Sequence, residues 1–182
     1  SSGAAPVLLV PNRARALRSD ATWGGVAALV DRGRLERVGL SPQTSLGAGL
    51  PAPDVPRAGS IGGGVRLRML VRAEHPLENR IAEVLAGLFD ERGVRLAVER
   101  VPASGYDAAI ARGDWDLRIA TVRAPLPGPG ALAGAALAEA GQPDRARRIA
   151  PSLEDEQATA DAARTPGALV LGHERVVLHH RA

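Results

Sequence analysis

Between residues 65 and 123 the spacing of apolar positions changes period four times. VRLRMLV (65–71) alternates apolar and polar, the period of a strand. HPLENRIAEVLAGLFDERG (75–93) changes to helical period, with Leu77, Ile81, Val84, Leu85, Leu88 and Phe89 forming one stripe. Pro76 fits a first-turn position, Glu78 suits the positive end of the helix dipole, and Gly93 supplies a left-handed stop. VRLAVERV (94–101) alternates again, SGYDAAIARGD (104–114) is a short helix with Ser104 as its cap, and WDLRIATV (115–122) is a third strand. Successive β-α-β units predict an α/β fold with a largely parallel central sheet flanked by helices. In such sheets a ligand meets the carboxyl ends of the strands, here near Val71, Val101 and Arg123.

Outside this core the pattern is sparser. PVLLV (6–10) reads as a short buried strand closed by Pro11 and Asn12. Ser19 or Asp20 can cap a helix over about 21–31, weakened by Gly24 and Gly25, and a second short helix covers 34–38. Residues 41–64 are dense in Pro and Gly and read as a linker, with SIGGG (60–64) its most flexible piece. That glycine run precedes a strand, whereas phosphate loops follow one and open a helix. After Arg123 come a turn-rich loop, two helical stretches at 131–141 and 143–153, a polar stretch, and one or two strands over 168–181. The expected organisation is a single lobe over 1–182, with an opening strand and helix at 1–40, the linker at 41–64, the core at 65–123, and helices with a closing strand at 124–182.

Composition narrows the function classes. Trp23, Trp115, Tyr106 and Phe89 are all the aromatic residues, so the core rests on Leu, Val, Ile and Ala. All 23 basic side chains are Arg, interleaved with 20 acids for a net charge of +3. Without a basic cluster or aromatics to stack bases, nucleic acid is not an expected partner. The absence of Cys excludes disulfides and thiolate chemistry. No apolar run approaches the ~20 residues of a membrane span. SSGAAPVLLVPN lacks the basic start and long apolar stretch of a signal peptide.

No arrangement of residues demands catalysis. His179 and His180 are adjacent and point to opposite faces of a strand, and His173 and His179 could share a face but no acid at ligand spacing completes a set, so no metal or cofactor is expected. Asp114 and Asp116 stand at ordinary turn and strand-start positions. Thr121 and Arg123 lie at the carboxyl end of an expected central strand, and Arg123 offers a planar donor fork suited to a carboxylate or phosphate.

Four pieces, in order, resemble the family 5 extracellular solute-binding proteins, the peptide, oligopeptide and nickel receptors of ABC importers. VLLVPNRARALRSDATWGGVAALVDRGRL (7–35) is similar to the family's strand ending in Asn, here Asn12, followed by an Asp and a helix closing with a short apolar-Asp-Arg run, here Ala28-Leu29-Val30-Asp31-Arg32. GVRLAVERVP within 65–102 is similar to its Gly-Ile-x-Val entry. YDAAIARGDWDLRIATV (106–122) is close to its Gly-Asp-Phe-Asp-Leu strand, and LVLGHERVVLHHR resembles the strand that returns to the other lobe.

The resemblance implies the second lobe of a type II periplasmic-binding fold, with the other lobe absent. It implies a non-catalytic role, binding a small solute or peptide in a cleft whose second wall is missing, and an ABC permease as partner of the full receptor. It implies a periplasmic or cell-envelope location, and Asn12, Thr121 and Arg123 as ligand-binding candidates. Peptide receptors follow the Asp-Leu strand with Trp and, three residues on, an Asp that holds the ligand's amino group. Val122 and Pro125 occupy those positions here, so that carboxylate is missing. The alternative is a stand-alone interaction or structural module derived from such a lobe.

Overall fold

The computed structural model describes residues 4–41, 59–121 and 168–175. Their elements are β1 (Ala4–Pro11), α1 (Asp20–Ala27), α2 (Arg32–Arg37), β2 (Leu40–Ser41), β3 (Arg66–Arg72), α3 (Pro76–Asp90), β4 (Arg95–Val101), α4 (Ala103–Arg112), β5 (Leu117–Thr121) and β6 (Leu169–Arg175). The six strands form one sheet in the order β2-β6-β1-β5-β3-β4. The helical stretches read at 131–141 and 143–153 lie outside the described residues.

The fold is α/β, and its parallel character is confined to β4-β3-β5. β1 runs antiparallel between β5 and β6, and β2 runs antiparallel beside β6. An alternating or apolar run marks a strand but carries no information about its direction, which long-range pairing decides.

Each face of the sheet is covered. Leu77, Ile81, Leu85 and Phe89 of α3 pack with Val7, Leu9, Met69, Val71 and Ile119, joined by Trp23 of α1 and Leu35 of α2. Tyr106 and Ala109 of α4 pack on the opposite face with Leu8, Val10, Leu70, Ala120 and Val170. Successive residues of β1 thus enter different cores, as the period of two requires. The crossover through α3 and the crossover through α4 lie on opposite faces, and β5 returns to the far side of β3 from β4. The carboxyl ends of β3 and β5 therefore flank a topological switch point.

Local signals explain most boundaries. Ser19 Oγ accepts from the Thr22 N–H at 3.1 Å and starts α1. Asp31 caps α2 in the same manner, ending the first helix earlier than its apolar pattern suggests. Gly93 and Gly113 take the left-handed conformation, with φ of 76° and 72°, after α3 and α4. Ser104 does not cap α4: Pro102 occupies that position, and no side chain bonds the first turn from there. The cap of α3 is His75, whose Nδ1 accepts from the Glu78 N–H at 3.3 Å.

The end of the Pro/Gly-rich stretch is docked. A Cβ on Gly59 would lie 1.8 Å from the Ala21 carbonyl oxygen, and one on Gly25 would lie 2.6 Å from the Ser60 carbonyl carbon. Two glycines let backbone meet backbone and bring Ile61 against the core. Gly25→Val is expected to detach residues 59–61 and lower stability by about 2 kcal/mol, as overpacking does. Denaturant unfolding measures the loss, and faster proteolysis within 59–64 locates it. An unchanged midpoint would refute the docking.

Candidate functional site

The carboxyl edge of β3 and β5 is built around a buried carboxylate. Glu78, in the first turn of α3, is 0 % exposed. Its Oε2 accepts from Arg72 Nε at 3.1 Å and from Thr121 Oγ1 at 2.9 Å, and Arg72 Nη2 also donates to it. Its Oε1 accepts from the Arg72 backbone N–H and from Arg72 Nε, both at 3.3 Å. The carboxylate thereby ties the last residue of β3, the last residue of β5 and the start of α3 into one unit.

His75 extends this unit to the closing strand. Because Nδ1 accepts the Glu78 N–H, the neutral ring carries its proton on Nε2. Nε2 lies 3.8 Å from Glu78 Oε2 and 3.7 Å from Glu174 Oε2 on β6.

On the α4 side of the same edge lies a half-open cavity of about 200 Å³. Tyr106, Asp107 and Ile110 of α4 form one wall, Arg118 and Thr121 of β5 the other, and Arg72 closes the end. Tyr106 and Ile110 are one helical turn apart, so both face the sheet. Arg118 is 5 % exposed, and its guanidinium lies 5.7 Å from the Trp115 ring centroid. Trp115 Nε1 is held by the Ile110 carbonyl at 3.0 Å.

Tyr106 donates its hydroxyl to the Ile119 carbonyl at 2.9 Å. Burial pushes its pKa up to about 12, with the charge of Arg118 pulling the other way. The folded chain therefore keeps this phenol neutral where an unfolded tyrosine, with a pKa of about 10, ionises. The associated stability is complete below pH ~10 and is lost as pH rises towards 12, up to about 3 kcal/mol. Tyr106 is the sole tyrosine, so tyrosinate absorbance follows it alone. A midpoint near 10 in the folded protein would contradict this assignment, and Tyr106→Phe should abolish the loss of stability over that window.

The three sequence candidates separate. Thr121 lies on this edge, with its hydroxyl proton directed to Glu78. Arg123 lies outside the described residues. Asn12 stands at the other end of the sheet, because β1 runs antiparallel to β5 and Pro11 pairs with Leu117. Its Nδ2 donates to the carbonyls of Gly113 and Trp115 at 3.1 and 2.8 Å, and its Oδ1 accepts from the Ala14 N–H at 3.1 Å. Asn12 thus fastens the loop after α4 to the end of β1, and nothing brings it to Thr121. Asp116 does similar work there: its Oδ2 accepts the Arg68 N–H at 2.8 Å and its Oδ1 accepts from Arg15 Nε at 3.3 Å. Among the described residues no group of three His, Asp or Glu side chains could hold a metal ion, and no helix is long and apolar enough to cross a membrane.

In the sequence Glu78 reads only as a dipole carboxylate, and Arg118 is not among the candidates. The signal for Arg118 was a charge inside an apolar strand, two residues before Ala120 on the same face. That for Glu78 was an Arg closing the strand six residues earlier.

No protein-family model and no curated protein matches the sequence. Solved structures do match. The OppA complex with the peptide RPPGFSPFR from Haemophilus influenzae superposes with a TM-score of 0.69 at 12% identity, over 94% of this chain and 43% of that one. NikA from Brucella suis, in complex with Fe(III)-EDTA, gives 0.62 at 16% identity, over 87% of this chain and 41% of that one. A peptide-binding protein of a peptide ABC transporter gives 0.67 at 15% identity, over 94% of this chain and 100% of that one. The fold is that of periplasmic peptide-binding proteins. The chain spans about two fifths of the length of OppA and NikA.

Proposed function

We propose that residues 1–182 act as one lobe of an ABC-importer solute receptor, non-catalytic, taking a peptide or similar small solute at the carboxyl edge of β3, β4 and β5. The switch point between β3 and β5 carries this reading: a cavity opens where the fold class takes its ligands, beside Arg72 and Thr121. Arg123, two residues beyond Thr121, belongs to the proposed ligand contact. β1 and β6 support the two-lobed arrangement. Ala4 pairs with Arg175 beyond the level of Thr121, so a lobe joined through both strands would face the same edge. In the full receptor that lobe would close over the ligand by a hinge motion, and a permease would receive the solute outside the inner membrane.

Half a cleft implies weak binding. A ligand held at about 1 μM by two equal walls keeps about 1 mM affinity on one of them. NMR titration of the full chain with trialanine should shift resonances at Arg72 and Thr121 with such an affinity. Sub-micromolar binding would contradict the half-site. Shifts confined to the Asn12 end, or none at millimolar peptide, would overturn the binding edge.

A further inference from the structure

We propose that the outer edge of β4 pairs with the same edge of a second copy of this chain, antiparallel about a twofold axis at Ala97, so that two sheets join into one. The pairing uses no residue that lines the cavity and does not depend on the receptor reading.

β4 ends the sheet, with β3 on its inner side. Three hydrogen bonds fix the direction of its backbone groups. Arg95 donates its N–H to the Val65 carbonyl at 2.9 Å, the Gly93 carbonyl accepts from Gly64 at 2.8 Å, and the Val101 carbonyl accepts from Ala73 at 2.9 Å. Odd-numbered residues therefore turn their N–H and C=O to β3, and Leu96, Val98 and Arg100 turn theirs outward. Among the described residues none of these outward groups is hydrogen-bonded. A strand edge in this state is a template for another strand, and edges that stay unpaired are blunted by Pro, a bulge or extreme shortness. β4 has seven residues without Pro or Gly, in unbroken register with β3.

Its side chains select a copy of itself. Arg95, Ala97 and Glu99 share the α4 face with Val101, and Leu96 and Val98 share the α3 face. Arg95 and Glu99 stand two places on either side of Ala97. With the axis at Ala97, each Arg95 faces the Glu99 of the second copy, twice over by symmetry. These are positions without mutual hydrogen bonds, where facing side chains come closest. Glu99 Oε2 accepts from Arg68 at 2.7 Å, and a carboxylate has a second oxygen for the facing guanidinium. On the other face Leu96 meets the partly exposed Val98, and Arg100 meets Val94 rather than a like charge. Axes at Leu96 or Val98 lose both ion pairs, and axes at Arg95, Glu99 or Arg100 set like charges face to face.

Sedimentation equilibrium of the full chain, from about 5 μM to about 500 μM, tests the pairing, together with hydrogen exchange at the amides of Leu96, Val98 and Arg100. A monomer–dimer equilibrium is expected, with these amides gaining protection as the dimer forms. Arg95→Glu and Glu99→Arg should each weaken the dimer at least about tenfold by placing like charges opposite each other. An equimolar mixture of the two variants should restore it to within about threefold, because every facing pair is again of opposite charge. Both side chains reach solvent, so each charge variant should melt with the parent. Val98→Pro removes an outward donor, leaves the ladder to β3 intact and should abolish the dimer. A monomer at about 500 μM, a dimer indifferent to these variants, or a mixture that stays monomeric overturns the proposal. Full protection of the three amides in the monomer would give the edge to another part of the chain and overturns it equally.

Discussion

Leu85→Asp is expected to abolish cooperative folding at 25 °C. Leu85 is 0 % exposed in the middle of α3, within the larger core cluster. The substitution removes a buried aliphatic side chain and puts a carboxylate among Ile81, Phe89, Met69 and their neighbours. Truncation alone, as in Leu85→Ala, costs about 2–5 kcal/mol. An unpaired charge adds a desolvation penalty of several kcal/mol. The sum reaches the whole stability of an ordinary domain, about 5–15 kcal/mol. Trp23 shares the cluster, so loss of its near-ultraviolet dichroism should accompany the loss of a thermal transition. A Leu85→Asp chain that melts cooperatively within a few degrees of the parent would mean that α3 does not carry this core.

That such a prediction can be made from residues 75–93 shows where the sequence is informative. The succession β3-α3-β4-α4-β5 rests on local rules: alternation in VRLRMLV, the stripe from Leu77 to Phe89, and left-handed Gly93 and Gly113. The rest depends on partners far along the chain. β1 lies between β5 and β6, more than 100 residues away, and nothing in PVLLV specifies an antiparallel neighbour. β2 is two residues long and exists through its pairing with β6. Asn12 resembles a ligand contact in sequence, yet its amide is committed to backbone across 101 and 103 residues. Ser104 has the chemistry of a cap but stands one residue inside the first turn, because Pro102 can serve as the boundary with its fixed φ. Thr121 was legible as a strand end at the crevice. That its hydroxyl would be turned to a helix carboxylate was not, since only the fold brings residues 78 and 121 together.

The same carboxylate carries the second large effect. Glu78→Ala is expected to lower stability by about 3 kcal/mol, the lower end for breaking a buried ion pair because Arg72 remains one-third exposed. The loss is larger than that of a surface pair, about 0–1 kcal/mol, because Glu78 has no access to water. Removing it leaves the Thr121 hydroxyl and the Arg72 guanidinium without an acceptor each now has. Thr121→Val deletes one hydrogen bond to a charged group, about 1.5 kcal/mol, and keeps the ion pair. The decisive measurement is the double variant Arg72→Met with Glu78→Leu. Apolar replacement of both partners leaves neither charge of this pair buried alone, so this chain should recover most of the loss and melt within a few degrees of the parent. Glu78→Ala alone should melt roughly 6–12 °C lower, at about 2–4 °C per kcal/mol for a chain of this size. If Glu78→Ala melts with the parent, the pair does not hold α3 to the ends of β3 and β5. If the double variant is as unstable as the single, packing rather than charge fixes that edge, and the ligand-facing surface would owe its shape to the core beneath it.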